Sequence, residues 1–203
     1  MLISKRLKAF DDELREQYGS IIVGCDEAGR GSLAGPIAAC AVVLPANQRI
    51  NGLDDSKKLS HVKRLQLSKI IKEVALSWHV EMIEADEIDE KGLTWANSQV
   101  MLRAAQKVTE DLGKIDLYII DQSPKFELKP HIMMPKADGI SLSVAAASVL
   151  AKTTRDLLMI ELNKTYTGYD LDNSKGYISP AHKEGIEKRG LVKGLHRFSY
   201  NIK

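Results

Sequence analysis

Two cysteines, Cys25 and Cys40, are all that the 203 residues carry, and they form neither a CxxC pair nor a cluster with histidines. That excludes a disulfide framework and gives no support to a structural zinc site, so both thiols are expected to pack inside strands. No apolar run approaches the roughly 18 residues that a membrane span needs. The N-terminal stretch has no apolar signal-peptide core between its charges, so a cytoplasmic protein without a membrane partner is expected. Repeats and low-complexity linkers are also missing. The formal net charge of +2 is too small to announce a nucleic-acid binder by itself.

What is present describes a globular chain: 44% hydrophobic and 28% charged residues, with a length that suits a single domain with a sizeable core. The charge is unevenly spread. From residue 174 onward seven basic residues (Lys175, Lys183, Lys188, Arg189, Lys193, Arg197, Lys203) face two acids (Glu184, Glu187), a surplus of five, which leaves −3 for the first 173 residues. A basic tail on an acid-bearing body suits an enzyme acting on a polyanion, and it equally suits a solvated surface helix.

Hydrophobic spacing orders the elements. Residues 4–18 read as an amphipathic helix, Ile21 to Cys25 and Ile37 to Leu44 as buried strands, and 61–76 as a helix with Ser60 as its N-cap. Ser77 to Glu84 alternates like a strand. Asp86 to Leu112 fits a long helix that Gly92 can interrupt and Gly113 closes. Ile115 to Ile120 and Ile132 to Met134 read as strands, Ser141 to Asn163 as the clearest helix, and Pro180 to Arg189 as a basic one. Intermixed strands and helices indicate one α/β domain, with the basic C-terminal segment laid against it.

The chemistry is expected at residues 21–36, where a β-branched run delivers Asp26 and Glu27 into a turn containing Gly29 and Gly31. Neighbouring strand residues point to opposite faces, so the two carboxylates can share a site only if the strand ends there. The outer spacing of Gly24 and Gly29 suggests a phosphate-binding loop, but Arg30-Gly31 stands where Lys-Ser/Thr belongs, and two acids inside the loop would repel a phosphate. Asp121 ends another apolar strand, and Asp138 follows a third and precedes the long helix. Singly, these acids read as solvated loop or turn residues. Together, at the edge where parallel α/β strands carry their sites, Asp26, Glu27, Asp121 and Asp138 would need a counter-charge, and hard oxygen ligands suit Mg²⁺ or Mn²⁺. Two such ions can serve in-line attack on phosphorus.

Asp-Glu-Ala-Gly-Arg-Gly (Asp26 to Gly31), Leu-Ala-Gly-Pro (Leu33 to Pro36), Asp-Ser-Lys-Lys-Leu-Ser (Asp55 to Ser60), the segment from Ala145 to Asp156 and Lys175-Gly176-Tyr177 occur in the order of the type 2 ribonucleases H, and the chain resembles bacterial ribonuclease HII over about residues 20–200. The resemblance implies a ribonuclease H-like α/β fold with a mixed central sheet flanked by helices. It implies an endonuclease that cuts the RNA strand of RNA/DNA hybrids and nicks 5′ to single ribonucleotides in duplex DNA, leaving 5′-phosphate and 3′-hydroxyl ends. The family's acids, which hold two Mg²⁺ or Mn²⁺ ions, fall on Asp26, Glu27, Asp121 and Asp138. Its ribonucleotide-reading turn falls on Gly29, Arg30 and Gly31, its junction-stacking aromatic on Tyr177, and Lys57 and Lys58 are expected beside the substrate backbone. Asp156 reads as a paired structural acid.

Ser32, Gln122, Ala137, Ser174, Ile178 and Ser179 depart from the usual family residues, which bears on junction preference and turnover. A sister enzyme, ribonuclease HIII, carries an extra N-terminal domain, and only 25 residues precede Asp26 here. A monomer is expected. The other class of reading is a module that binds hybrids without cutting them.

Overall fold

The computed structural model describes residues 2–123 and 125–200. Its β-branched and alanine-rich runs form one five-stranded sheet: β1 (Ile22–Ala28), β2 (Ile37–Val43), β3 (Ser77–Ile83), β4 (Leu117–Asp121) and β5 (His131–Met134). The strand order is β3-β2-β1-β4-β5. β1 runs antiparallel to β2 and parallel to β4, and β4 is parallel to β5, so the sheet is mixed.

Helices cover both faces: α1 (Leu2–Tyr18), α2 (His61–Val74), α3 (Ala85–Lys91), α4 (Leu93–Leu112), α5 (Leu142–Thr165), α6 (Leu171–Ser174) and α7 (Pro180–Arg189). Val100, Met101, Ala104 and Val108 of α4 bury the face formed by Val23, Cys25, Ala39 and Ala41. Ala145, Ala146 and Val149 of α5 bury the other, against Cys40 and Val42. β2 is buried along its whole length, as its unbroken apolar run requires. Both cysteines are buried and unpaired. No helix among the described residues is long and apolar enough to cross a membrane.

The expected elements are found with shifted ends. Ser60 caps α2 by accepting from the Lys63 N–H at 3.2 Å. The 86–112 helix is two helices, because Gly92 takes φ +86° between them. The 52–60 loop holds a 3-10 turn (Ser56–Lys58) that Asp55 caps. A second one, Ala137–Gly139, leads into α5.

The larger correction concerns β1, which does not stop before Asp26. Its parallel pairing to β4 ends at Cys25↔Ile120, but its antiparallel pairing to β2 continues through Asp26↔Cys40, Glu27↔Ala39 and Ala28↔Ala38. β2 thus carries the strand three residues past its other neighbour, and both acids lie on a projecting strand tip.

One close approach fixes where α5 sits on the sheet. A Cβ at Gly24 would lie 2.2 Å from the Ser143 carbonyl carbon, so glycine there lets the first turn of α5 rest directly on β1. Asp11 of α1 holds that turn from the other side, accepting from Ser141 Oγ (2.6 Å), Ser143 N (2.9 Å) and Ser143 Oγ (2.7 Å). The 3-10 turn before α5 is thereby brought to the ends of β1 and β4.

Candidate active site

With Cys25 opposite Ile120 on parallel strands, the next residues are Asp26 and Asp121, and alternation puts both on the face that α5 covers. Asp138 arrives from the 3-10 turn, and Asp121 Oδ1 is tied to that turn by accepting from the Ala137 N–H at 3.0 Å. Glu27 leaves the opposite face of β1 yet lies within electrostatic reach of Asp26 and Asp121. The four expected acids therefore meet at one sheet edge, and Glu27 joins them from a continuing strand and not from a turn.

Their electrostatics are those of crowded, desolvated carboxylates. Burial, then the charge of Glu27, pushes Asp26 well above the ordinary carboxylate range, with Asp121 and Asp138 adding to the rise. Burial and the Asp121 charge lift Glu27 to about 7. Burial and the neighbouring Asp55 lift Asp138 to about 6. Two carboxylate oxygens, Glu27 Oε2 and Asp138 Oδ2, are buried without a hydrogen-bond partner. Among the described residues no three acid, thiol or imidazole groups stand close enough together, as they are placed, to hold an ion between them.

Lys57, together with Arg30 beside Glu27, is counter-charge the protein itself supplies. Burial opposes its ionisation, but Asp138, Asp26, Asp55 and Asp121 together hold its ammonium above the usual value. Lys58 behaves differently from its neighbour: it is exposed and lies 3.6 Å from Asp54, away from the acids.

Beside the acids lies a cleft of about 420 Å³ lined by residues that include Glu27, Gly29, Arg30, Gly31, Lys57 and Tyr177. Gly29 takes φ +86°, and a Cβ there would lie 1.9 Å from Arg155 Nε. At Gly31 a Cβ would meet nothing within 4 Å, so its backbone is open to a visitor. The Tyr177 ring is 37% exposed, and the Lys152 ammonium and Arg155 guanidinium each lie 5.5 Å from its centroid. Turn and tyrosine are fastened together, since the Gly176 carbonyl accepts from Leu33 N (2.9 Å) and Ala34 N (3.0 Å).

Sequence reasoning missed the supports of this arrangement. Ser148 donates to Asp26, and its hydroxyl lies 2.8 Å from that of Ser56. Asp55 stands beside Asp138 and adds to the rise of its pKa. Arg155, wholly buried, donates to Pro36 O (2.8 Å), Lys175 O (2.8 Å), Ala34 O (3.0 Å) and Ser32 Oγ (2.7 Å). Burial lowers its pKa to about 10. Ser32, one of the departures, thus takes part in the turn: its hydroxyl accepts from Arg155 and donates to Gly29 O at 2.8 Å. The position of Ser56 and Asp55 beside two lysines was a signal that could have been read. Nothing in a helix repeat marks Ser148 or Arg155 as different from its neighbours.

Two expectations for charged residues resolve in opposite ways. Asp156 is paired with Lys152 (2.5 Å) and Arg64 (3.5 Å) and is fully buried, as a structural acid should be. The basic tail, expected to meet phosphate, gives up Arg197 to the interior, where it donates to Gly35 O (2.9 and 3.1 Å) and Arg30 O (2.9 Å). Its fixed fork ties the C-terminal segment to the glycine turn, which is a better use of a buried guanidinium than a solvated phosphate contact. Lys203 of that tail lies outside the described residues.

Residues 23–203 match the family model for Ribonuclease HII. The Ribonuclease HII of Clostridium acetobutylicum is 40% identical over 205 aligned residues, covering 97% of this chain and 77% of that protein. Among solved structures, the ribonuclease H2 from Pyrococcus horikoshii OT3 is similar at a TM-score of 0.71 and 25% identity, covering 89% of this chain and 93% of that one. Bst-RNase HIII in complex with Mn²⁺ shares the fold at a TM-score of 0.73 and 20% identity, over 91% of this chain and 68% of that one. Because the family match runs through every segment that builds the cleft, from the first strand to the buried Arg197, the chain belongs to the Ribonuclease HII family and is a nuclease with ribonuclease H activity.

Proposed function

We propose that the chain nicks duplex DNA 5′ to single embedded ribonucleotides as well as cutting the RNA strand of hybrids, and that Asp26, Glu27, Asp121 and Asp138 hold two Mg²⁺ or Mn²⁺ ions for both reactions. The observation that carries this reading is the pair of buried, unpartnered oxygens, Glu27 Oε2 and Asp138 Oδ2, in a cluster whose carboxyl groups are pushed up by burial and by one another. A buried acceptor without a donor is costly, and hard divalent cations are the group that all-oxygen donor sets accept. The residues present therefore fit the ions. A divalent ion on this fold has a precedent in Bst-RNase HIII. When bound, such ions neutralise the carboxylates, activate water and stabilise charge on a scissile phosphate.

The protein's own groups do the rest. Ser148 and Ser56 steady Asp26, and the Ala137 N–H steadies Asp121. The exposed backbone at Gly31, beside Gly29 and Arg30, offers polar groups to a 2′-hydroxyl, which both donates and accepts. Lys57, held protonated by four acids, can neutralise a backbone phosphate at the mouth of the cleft. Tyr177 offers a half-open aromatic face for the sugar or base at the RNA-to-DNA step.

The test is a duplex carrying one ribonucleotide, incubated with Mn²⁺ or Mg²⁺, with the products resolved by length and end chemistry. A nick 5′ to the ribonucleotide, leaving 5′-phosphate and 3′-hydroxyl ends, is expected. Asp121→Asn should abolish it with the fold intact. Binding without a nick, or full activity in Asp121→Asn, would overturn the assignment.

A further inference from the structure

Three consecutive carbonyls hold the Lys175–Tyr177 loop in place, and each is tied to a different part of the chain. Lys175 O accepts from Arg155, and Gly176 O accepts from the glycine turn. Tyr177 O accepts from His182 Nδ1 at 2.9 Å, so His182 carries its proton on Nδ1. A neutral His182 then presents a bare Nε2. That atom faces His196 Nε2 at 3.3 Å.

His196 has the complementary tautomer. Its Nδ1 accepts from the Val192 N–H at 3.0 Å, so its proton is on Nε2, aimed at His182. One chain of donors and acceptors satisfies every ring nitrogen: Val192 N–H to His196, His196 to His182, His182 to the Tyr177 carbonyl. Both imidazoles are fully buried, and the Tyr169 ring covers them at 4.9 and 6.4 Å between centroids. His196 also bridges its backbone to Ala34 in the glycine turn. The turn and the tyrosine are therefore joined a second time, through two histidines that do not themselves line the cleft.

We propose that His182 and His196 are positioning residues that set Tyr177 relative to the Gly29–Gly31 turn and so set the preference for an isolated ribonucleotide over a continuous RNA strand. The inference rests on the role given to Tyr177 above. An extra proton on His182 Nε2 would face the His196 N–H across 3.3 Å, and one on His196 Nδ1 would face the Val192 N–H across 3.0 Å, so the pair works only while both rings are neutral. Burial, then the neighbouring His182, lowers the His196 pKa to about 4, which keeps it neutral at working pH.

The experiment compares two amides at one position. In His182→Asn the side-chain nitrogen falls where Nδ1 was and can still donate to the Tyr177 carbonyl. In His182→Gln the amide reaches the Nε2 position instead and leaves that carbonyl without a donor. The readout is the cleavage rate on a single-ribonucleotide duplex divided by the rate on a uniform RNA/DNA hybrid, a ratio that a partly unfolded sample does not change. His182→Gln should lower the ratio about tenfold, and His182→Asn should keep it within about threefold of wild type, since small misplacements at a site cost that much or more.

Should His182→Gln fail to fold, His182→Leu fills a similar volume and likewise withdraws the donor from the Tyr177 carbonyl, with the same direction of change expected. Imidazole ¹⁵N resonances of the wild-type protein should report His182 as the Nδ1–H tautomer and His196 as the Nε2–H tautomer. The reverse tautomers, or an unchanged ratio in the variant that folds, would overturn the proposal. Loss of both activities in wild type, by contrast, would count against the proposed function.

Discussion

Replacing one of the crowded acids, Glu27, should stabilise the ion-free protein while destroying its activity. In the folded chain burial and the Asp121 charge hold Glu27 at about 7, against an ordinary 4.5. Below pH 4.5 the side chain is protonated whether folded or unfolded, and it imposes no penalty. As pH rises from 4.5 to 7 the unfolded chain releases this proton first, so the contribution of Glu27 to stability falls across that window and reaches its lowest value above pH 7. At about 1.36 kcal/mol per unit the full effect is about 3 kcal/mol, and solvent screening at this partly exposed strand tip brings it to about 1–3 kcal/mol.

Glu27→Gln removes that penalty and adds an amide donor for the adjacent carboxylates. In urea denaturation at pH 8 with chelator present, the variant is expected to be more stable than wild type by about 1–3 kcal/mol, or about 3–9 °C in melting temperature for a domain of this size. At pH 4.5 the difference should shrink to less than about 0.5 kcal/mol. Mg²⁺ or Mn²⁺ should then reverse the order, raising wild type by the binding linkage and the variant much less. A variant no more stable than wild type at pH 8, or a difference that does not vary with pH, would refute the reasoning that like-charge crowding at this edge awaits a cation.

Other substitutions test the turn and its supports. Gly29→Ala places a Cβ against Arg155 at a positive φ and should cost about 2–4 kcal/mol in chemical denaturation. Gly31→Ala, with open space around the new carbon, should stay within about 0.5 kcal/mol of wild type yet cleave poorly, and full activity would remove Gly31 from the reading turn. Arg155→Met strips a donor from three carbonyls and the Ser32 hydroxyl, and a loss of about 3–5 kcal/mol is expected; a loss below about 1 kcal/mol would show that water replaces it freely. Lys57→Ala should reduce the slope of log affinity against log salt by about 0.9, while Lys58→Ala leaves it unchanged. Equal effects at the two positions would contradict the separation drawn between them.

Much of this site could be read before any fold was known, because strand ends announce themselves locally. Asp26 and Asp121 each follow an apolar run, Gly29 and Gly31 follow the first acid pair, and Ser60 stands where a cap is needed. The extent of β1 could not be read, since a partner strand some ten residues later keeps it extended through Glu27 and Ala28. Nor could the fate of the basic tail. Arg197 looks like a surface cation until the carbonyls of Arg30 and Gly35 are brought to it across more than 160 residues.

By itself the sequence determined which residue types were available for chemistry and the order in which helices and strands would present them, because hydrophobic period, glycine turns and helix caps act within a few residues. Only the tertiary structure decided that Asp55 would meet Asp138, that Ser148 would reach Asp26, and that two histidines would stand end to end beneath Tyr177. Those meetings depend on how far each strand runs and on how closely α5 can lie on Gly24, which are properties of packing between distant segments and leave no periodic mark along the chain.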